Sequence, residues 1–362
     1  DHHIKCGNAI VGFTRFDDLE KGIPDEAFNK IAGDDSEICK QFKKRNKEER
    51  KNKGQAQISF DSDAKVKMDQ ILASWKSMAR LPETTIEEIA EKKKRCLEFS
   101  KSKEAWNLRQ IAHLPISQFY IPKTEHTKDK ILTDATYLQF LKGDRHPQGE
   151  AVAESGAVAH KKRFFHWFLE FPEVIEKGGF DCVLGNPPYL GRKNLSSSLG
   201  YEFCHYVQWI LEPVGLTDLV VFFLRRIHQL IKKNGFVGMI TTNSIIDGDV
   251  RKDGLKQIVK RGSEINMAIR GMKWPGTANL VVSLLAIHKG QWEGLRSLDN
   301  EQVESINSFF EEGEELADPE SFEANAGKVF QGSIFLGDGF LLTHEEAQKL
   351  RDSDPRNAEV IM

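Results

Sequence analysis

The chain has 362 residues, with 51 Lys and Arg set against 54 Asp and Glu for a formal net charge of −3. That balance excludes a generally polycationic nucleic-acid binder, so any phosphate contact must come from local basic patches. Hydrophobic residues at 40% and charged residues at 29% describe a globular protein with one large core or two smaller ones, and no apolar run approaches the ~20 residues of a membrane span.

In chain order, residues 3–12 place Gly7-Asn8 inside a short apolar stretch, which by itself reads as a turn. His2, His3 and Cys6 have no second cluster to complete a zinc site, so no metal is expected. The five cysteines, Cys6, Cys39, Cys96, Cys182 and Cys204, are odd in number, scattered and free of Cys-x-x-Cys spacing. They predict reduced thiols and a cytoplasmic protein.

Residues 13–165 read as a mainly helical insertion. A capped segment starts at Pro24-Asp25-Glu26, and a basic run follows that includes Lys43, Lys44 and Arg45. Two readings of that run stand, a phosphate-binding face and a solvated helix or loop without a partner. Val66, Ile71, Leu72 and Trp75 fall near helical spacing, and Ile86 to Trp106 continues with apolar residues between charges. Trp75 and Trp106 are expected to anchor a core rather than to stack on bases. Asp61, Asp63 and Lys65 lack the β-hairpin frame of a nuclease site.

Phe180 to Tyr189 then reads FDCVLGNPPY. An apolar run halts at Gly185 and delivers Asn186-Pro187-Pro188-Tyr189 at its carboxyl end, predicting a buried strand that ends in a rigid loop. Two prolines fix two φ angles and remove two amide donors, which leaves the loop rich in acceptors. The side-chain oxygen of Asn186 and the carbonyl of Pro187 suit a planar group with two N–H donors, such as the adenine amine or a glutamine amide. Tyr189 offers a flat face for stacking. The plainer reading is a Pro-Pro turn closing a strand. Arg192, Lys193 and the small residues 194–200 follow, either as a phosphate clamp or as an ordinary surface loop.

Downstream, Thr217 or Asp218 caps an apolar helix ending before Asn234-Gly235, and Phe236 to Thr241 reads as a buried strand. A helix around Leu255 to Val259 and strands at Ile265 to Ile269 and Leu280 to Ile287 complete an alternation that predicts a parallel-rich sheet. Met272-Lys273-Trp274-Pro275-Gly276 either caps that last strand pair or presents Trp274 to a ligand. The fold class expected is α/β, an incomplete Rossmann-like, doubly wound sheet with a largely helical insertion, its ligand at the carboxyl ends of the strands.

Asn186-Pro187-Pro188-Tyr189 resembles the catalytic motif of the amino-group DNA methyltransferases that form N6-methyladenine. The approach to it, residues 164–174 and Gly179-Phe180-Asp181, resembles the methylases of type IIG restriction-modification and related phage-defence systems. The resemblance implies S-adenosylmethionine as cofactor and double-stranded DNA with a flipped adenine as partner. It gives Asn186 and Pro187 the target amine, counts Pro188 in the catalytic motif with them, gives Tyr189 and Trp274 the base, and gives Asn8 together with Asn186 a place beside the cofactor. It further implies that Phe330-Gln331-Gly332 and residues 337–347 lead towards a target-recognition domain. A nuclease or other defence subunits would accompany the full-length protein.

No cofactor loop of the Asp-Pro-Ala-Cys-Gly-Ser-Gly kind occurs in the sequence, position 1 is Asp, and the chain stops at Met362. A fragment inactive on its own is therefore expected. It divides into a methyltransferase strand and turn (1–12), the insertion (13–165), the catalytic half (166–290) and the connector (291–362). Two other functions fit the tetrapeptide less fully: methylation of protein glutamine, and a non-catalytic DNA-binding or scaffolding role in a defence complex.

Overall fold

The computed structural model describes residues 4–53, 63–82, 84–213, 215, 217–275, 277, 280–317, 323, 327–328 and 342–361. They fall into two compact units, residues 1–315 and 316–362. The calls on His2, His3, Asp61, Gly276, Asn279, Phe330-Gln331-Gly332 and 337–341 lie outside the described residues.

The first unit is built on one six-stranded sheet in the order β1-β2-β4-β3-β5-β6. Its strands are β1 (Phe180–Gly185), β2 (Ile231–Thr242), β3 (Glu264–Lys273), β4 (Val281–His288), β5 (Arg296–Leu298) and β6 (Glu301–Val303). β1 pairs parallel with β2, and β3 parallel with β5, whereas β4 runs antiparallel to both β2 and β3. β1, β2, β3 and β5 thus share one direction, as the alternation of strands and helices predicted, and β4 is a reversed strand inserted among them. β6 turns back along β5. The sheet therefore continues past residue 290.

Helices α1 (Ser36–Lys53), α2 (Asp63–Ala79), α3 (Ile86–Ser100), α4 (Lys103–Ser117), α5 (Asp134–Lys142) and α6 (Glu150–Lys162) form the helical region, followed by the short α7 (Trp167–Glu170) and α8 (Pro172–Glu176). After β1 come α9 (Arg192–Leu199), α10 (Tyr201–Leu211) and α11 (Leu219–Leu230), and between β2 and β3 come α12 (Gly248–Asp253) and α13 (Leu255–Lys260). α11 is the shared wall between two cores. Leu219, Phe222 and Leu230 pack with the helical region, and Val220, Val221, Leu224 and Ile227 pack against the sheet with Val237, Met239 and Leu285. Both faces of α11 are therefore buried, and its Arg225, Arg226 and His228 are buried with them.

Several expectations change. Of the strand and turn expected over residues 1–12, the described residues hold one bridge, between Asn8 and Phe164, because the backbone bonds there go elsewhere. Ile10 and Val11 donate to Asn8 Oδ1, Gly12 to the Tyr206 hydroxyl and Phe13 to His166 Nδ1, while the Val11 carbonyl accepts from Phe165. α11 stops at Leu230 and β2 starts at once, so Gly235 lies within the strand rather than ending the helix. The Phe180↔Ile231 and Cys182↔Phe236 pairings leave a bulge around Asn234-Gly235. Just upstream of β1, Gly179 (φ 130°) passes so near the Leu230 carbonyl that a Cβ would sit 2.1 Å from it.

β1 itself is not buried. It pairs on one side only, and its Leu184 is 81% exposed and its Cys182 exposed. Trp75 is a core anchor at 2% exposure, but Trp106 is 48% exposed. The reason is a break after α3: Ser102 caps a new helix, so Trp106 falls in the first turn of α4 facing out while Ala105 and Leu108 face in. All five cysteines are free thiols, and no helix among the described residues is long and apolar enough to cross a membrane.

In the second unit, Thr343 and Glu346 form a capping box at the start of α14 (His344–Ser353), and a 3-10 turn follows over Pro355–Glu359.

Candidate active site at the carboxyl end of the sheet

The shared direction of β1, β2 and β3 brings three segments to one end of the sheet: the sequence-predicted Asn186–Tyr189 after β1 and Trp274 after β3, with Thr242–Ser244 after β2 between them. The turn carrying Trp274 is closed by its amide, which donates to the Leu280 carbonyl at 2.9 Å. Two strand positions, β2 and β4, separate β1 from β3, so the strand ends carrying Tyr189 and Trp274 stand about 14 Å apart. That spacing exceeds the ~7 Å between two rings stacked on one base, so the β3–β4 turn must lean inward for both to touch the same ring.

Asn186 and Pro188 are exposed, Pro187 is buried and Tyr189 is half-buried. The Tyr189 hydroxyl donates to Asn186 Oδ1 at 2.7 Å. An amide oxygen has two lone pairs, so this bond orients the Asn186 side chain and leaves capacity for a second donor. Among the described residues no hydrogen bond reaches the Pro187 carbonyl. Partial burial raises the Tyr189 pKa above the usual tyrosine value, which keeps its hydroxyl a donor at neutral pH.

The other predicted residues are dispersed. Asn8 spends its Oδ1 on the turn with Ile10 and Val11, and its Nδ2 has no partner among the described residues. Lys43, Lys44 and Arg45 are exposed on α1; Lys43 Nζ donates to Asn29 Oδ1 at 2.6 Å and Arg45 pairs with Glu49 at 2.8 Å. The stretch from Arg192 is helix α9 rather than a loop. Arg192 pairs with Asp249 at 3.3 Å, both side chains exposed, and Lys193 is exposed beside it. Thr242 and Ser244 bond through their hydroxyls at 2.7 Å, and Asn243 Oδ1 accepts from Ser283 Oγ at 2.8 Å and from the Gly271 amide at 3.3 Å. Asn243 thereby joins the β2 end to both strands of the hairpin that carries Trp274, a role the sequence did not disclose.

Comparison with known proteins follows from this geometry. A protein of Methanocaldococcus jannaschii classed with the type II restriction enzymes and methyltransferases is 32% identical over 97 residues, and that match covers 27% of this chain and 8% of the relative. Among solved structures, the type IIL restriction-modification enzyme MmeI in complex with DNA aligns over 80% of this chain and 45% of its own, at 14% identity and a TM-score of 0.38. A class I S-adenosylmethionine-dependent methyltransferase from Listeria monocytogenes aligns over 64% of this chain and 90% of its own, at 12% identity and a TM-score of 0.25. The family model for the Eco57I restriction-modification methylases matches residues 14–268, which include Asn186–Tyr189 and leave Asn8 and Trp274 outside. Matched over well more than half of its length, the chain belongs to the Eco57I restriction-modification methylase family.

Proposed function

We propose that this chain is the catalytic part of an enzyme that methylates the exocyclic amine of adenine at defined sites in double-stranded DNA, with S-adenosylmethionine as methyl donor. The observation that carries the reading is the acceptor pair at the carboxyl end of β1, the exposed Asn186 side chain and the Pro187 carbonyl that no hydrogen bond reaches among the described residues, inside the region matched to the family. Asn186 Oδ1 and the Pro187 carbonyl receive the two amine hydrogens, which draws the nitrogen lone pair out of conjugation. Pro188 keeps the loop rigid, and Tyr189 and Trp274 hold the base. Positioning carries much of the barrier, so no strong base is assigned.

S-adenosylmethionine supplies an electrophilic methyl group when bound. On this reading Asn8, whose Nδ2 has no partner among the described residues, and the exposed side chain of Asn186 are the residues that would hold it. Residues 166–290 are assigned as the catalytic half, 13–165 as the insertion, 1–12 as its upstream edge and 291–362 as the connector. Arg192 and Lys193, with Lys43, Lys44 and Arg45, are assigned to the phosphate backbone.

The test is transfer of labelled methyl to plasmid DNA and to a glutamine-bearing protein by the full-length enzyme. Asn186→Ala is expected to lower transfer to adenine by ~100-fold or more while duplex affinity stays within about twofold. Undiminished transfer, or transfer to glutamine alone, overturns the proposal.

A further inference from the structure

Tyr189 is useful as a stacking face only if its backbone is held still, and its two sides are held by different means. Upstream, Gly185 is fixed by its pairing with Met239 of β2, and two prolines stiffen the next residues. Downstream, α11 supplies a two-point clamp. The Leu219 amide donates to the Leu190 carbonyl at 2.9 Å, and Asp218 Oδ1 accepts from the Arg192 amide at 2.8 Å. The other oxygen of the same carboxylate, Oδ2, accepts from Ser244 Oγ at 3.4 Å, and Ser244 is itself bonded to Thr242 at the end of β2. Asp218 occupies the N-cap position of α11 yet makes no side-chain cap bond there. Its carboxylate is committed across the loops instead of to its own helix, where a capping Asp would normally spend it.

We infer that Asp218 is a positioning residue for methyl transfer: by binding the Arg192 amide and Ser244 together it fixes the catalytic loop against the end of β2 and sets where Tyr189 stands. It touches neither base nor cofactor. The inference rests on the proposed function for its effect on rate, but the clamp itself does not, and the two parts are separately measurable.

Amide hydrogen exchange on the present chain reads the clamp without any reaction. Asp218→Ala should raise exchange at Leu190–Lys193 by ~10-fold or more, and Asp218→Asn, which keeps an acceptor for the Arg192 amide, should stay within about threefold of the wild type. In the full-length enzyme, Asp218→Ala should lower kcat for DNA methylation ~30-fold or more with KM for DNA within about twofold, since a displacement of ~1 Å at the reacting groups is worth about that much. Asp218→Asn should recover kcat to within about threefold of wild type. A 2-aminopurine probe at the target position should lose its Tyr189-dependent quenching in the Ala variant and keep it in the Asn variant. Unchanged exchange in Asp218→Ala overturns the clamp. Altered exchange with unchanged kcat and probe signal, in an enzyme whose wild type methylates adenine, overturns the positioning role. A wild type that does not methylate adenine refutes the proposed function and leaves the exchange result to decide the clamp.

Discussion

The hydroxyl of Tyr189 donates to the side-chain oxygen of Asn186 at 2.7 Å, so the aromatic face and the amide acceptor of the Asn186–Tyr189 loop are set as one unit. Removing the hydroxyl and removing the ring should therefore have different consequences. Tyr189→Phe keeps the stacking face and frees Asn186 to rotate, and a kcat reduced by no more than ~10-fold is expected, in line with one modest hydrogen bond. Tyr189→Ala should cost about 1–3 kcal/mol of base stacking, ~5–150-fold in target engagement. Steady-state methylation kinetics of both variants in the full-length enzyme decide this, and equal losses would show that the ring contributes nothing beyond its hydroxyl.

Phosphate contacts should appear in the salt dependence of duplex binding. Each contact contributes roughly −0.9 to the slope of log affinity against log salt. Arg192→Ala with Lys193→Ala should flatten that slope by about 2, and neutralising Lys43, Lys44 and Arg45 together by about 3. A titration at several salt concentrations measures each set alone. A set that leaves the slope unchanged is a solvated face, the plainer reading of that sequence.

The buried pair His113 and His166 should make the fold acid-sensitive. His113 Nδ1 lies 3.0 Å from His166 Nε2, and His166 Nδ1 accepts from the Phe13 amide, so the pair ties α4 to both segments flanking the helical region. Burial, helped by Arg109, pushes His113 down to about 3; burial, then His113, Arg109 and Arg226, holds His166 well below its usual value. Both rings are thus neutral when folded and gain protons readily only when unfolded. Their contribution is fully present above the unfolded value of about 6.5 and is lost as pH falls from there towards 3. The thermal midpoint should drop steadily between pH 6.5 and 4, and His113→Phe should flatten that drop. An equal slope in the variant would place the acid sensitivity elsewhere.

Tyr206 should be worth more than its size suggests. Its hydroxyl accepts from the Gly12 amide at 2.9 Å, lies 3.0 Å from the Gly12 carbonyl, and is 3.4 Å from the buried Arg226 guanidinium, which also donates to the Ile10 carbonyl at 2.6 Å and to Gln229 Oε1 at 3.2 Å. Tyr206→Phe leaves a buried amide without its acceptor and should cost about 1–3 kcal/mol, read as a lower urea midpoint at unchanged slope. A loss under about 0.5 kcal/mol would mean that solvent replaces the hydroxyl.

The sequence disclosed most of the sheet, because strands at 180–185, 236–241, 265–269 and 280–287 are apolar runs bounded by turn residues, and α11 is apolar with a clear start. The reversal of β4 was not legible. Nothing in Val281–His288 distinguishes a strand reached by a crossover from one reached by the hairpin that Trp274 and Leu280 close. Exposure was misjudged where an element lies at an edge, as for Cys182 and Leu184, or where a helix restarts, as at Ser102 before Trp106. The tetrapeptide Asn186–Tyr189 stands out because its signature is local. Its supports do not, since Asp218 reads as an ordinary N-cap and Asn243 as a polar loop residue until their partners 26 and 40 positions away are known.

The reversal of β4 has an evolutionary corollary. Because β3 and β4 are joined by a short hairpin at the carboxyl end of the sheet, residues 274–280 can lengthen, shorten or change composition without disturbing the hydrophobic interior beneath. A lineage that binds a base as proposed, under pressure to accept a differently shaped one, has there a place to experiment that leaves Asn186–Tyr189 untouched.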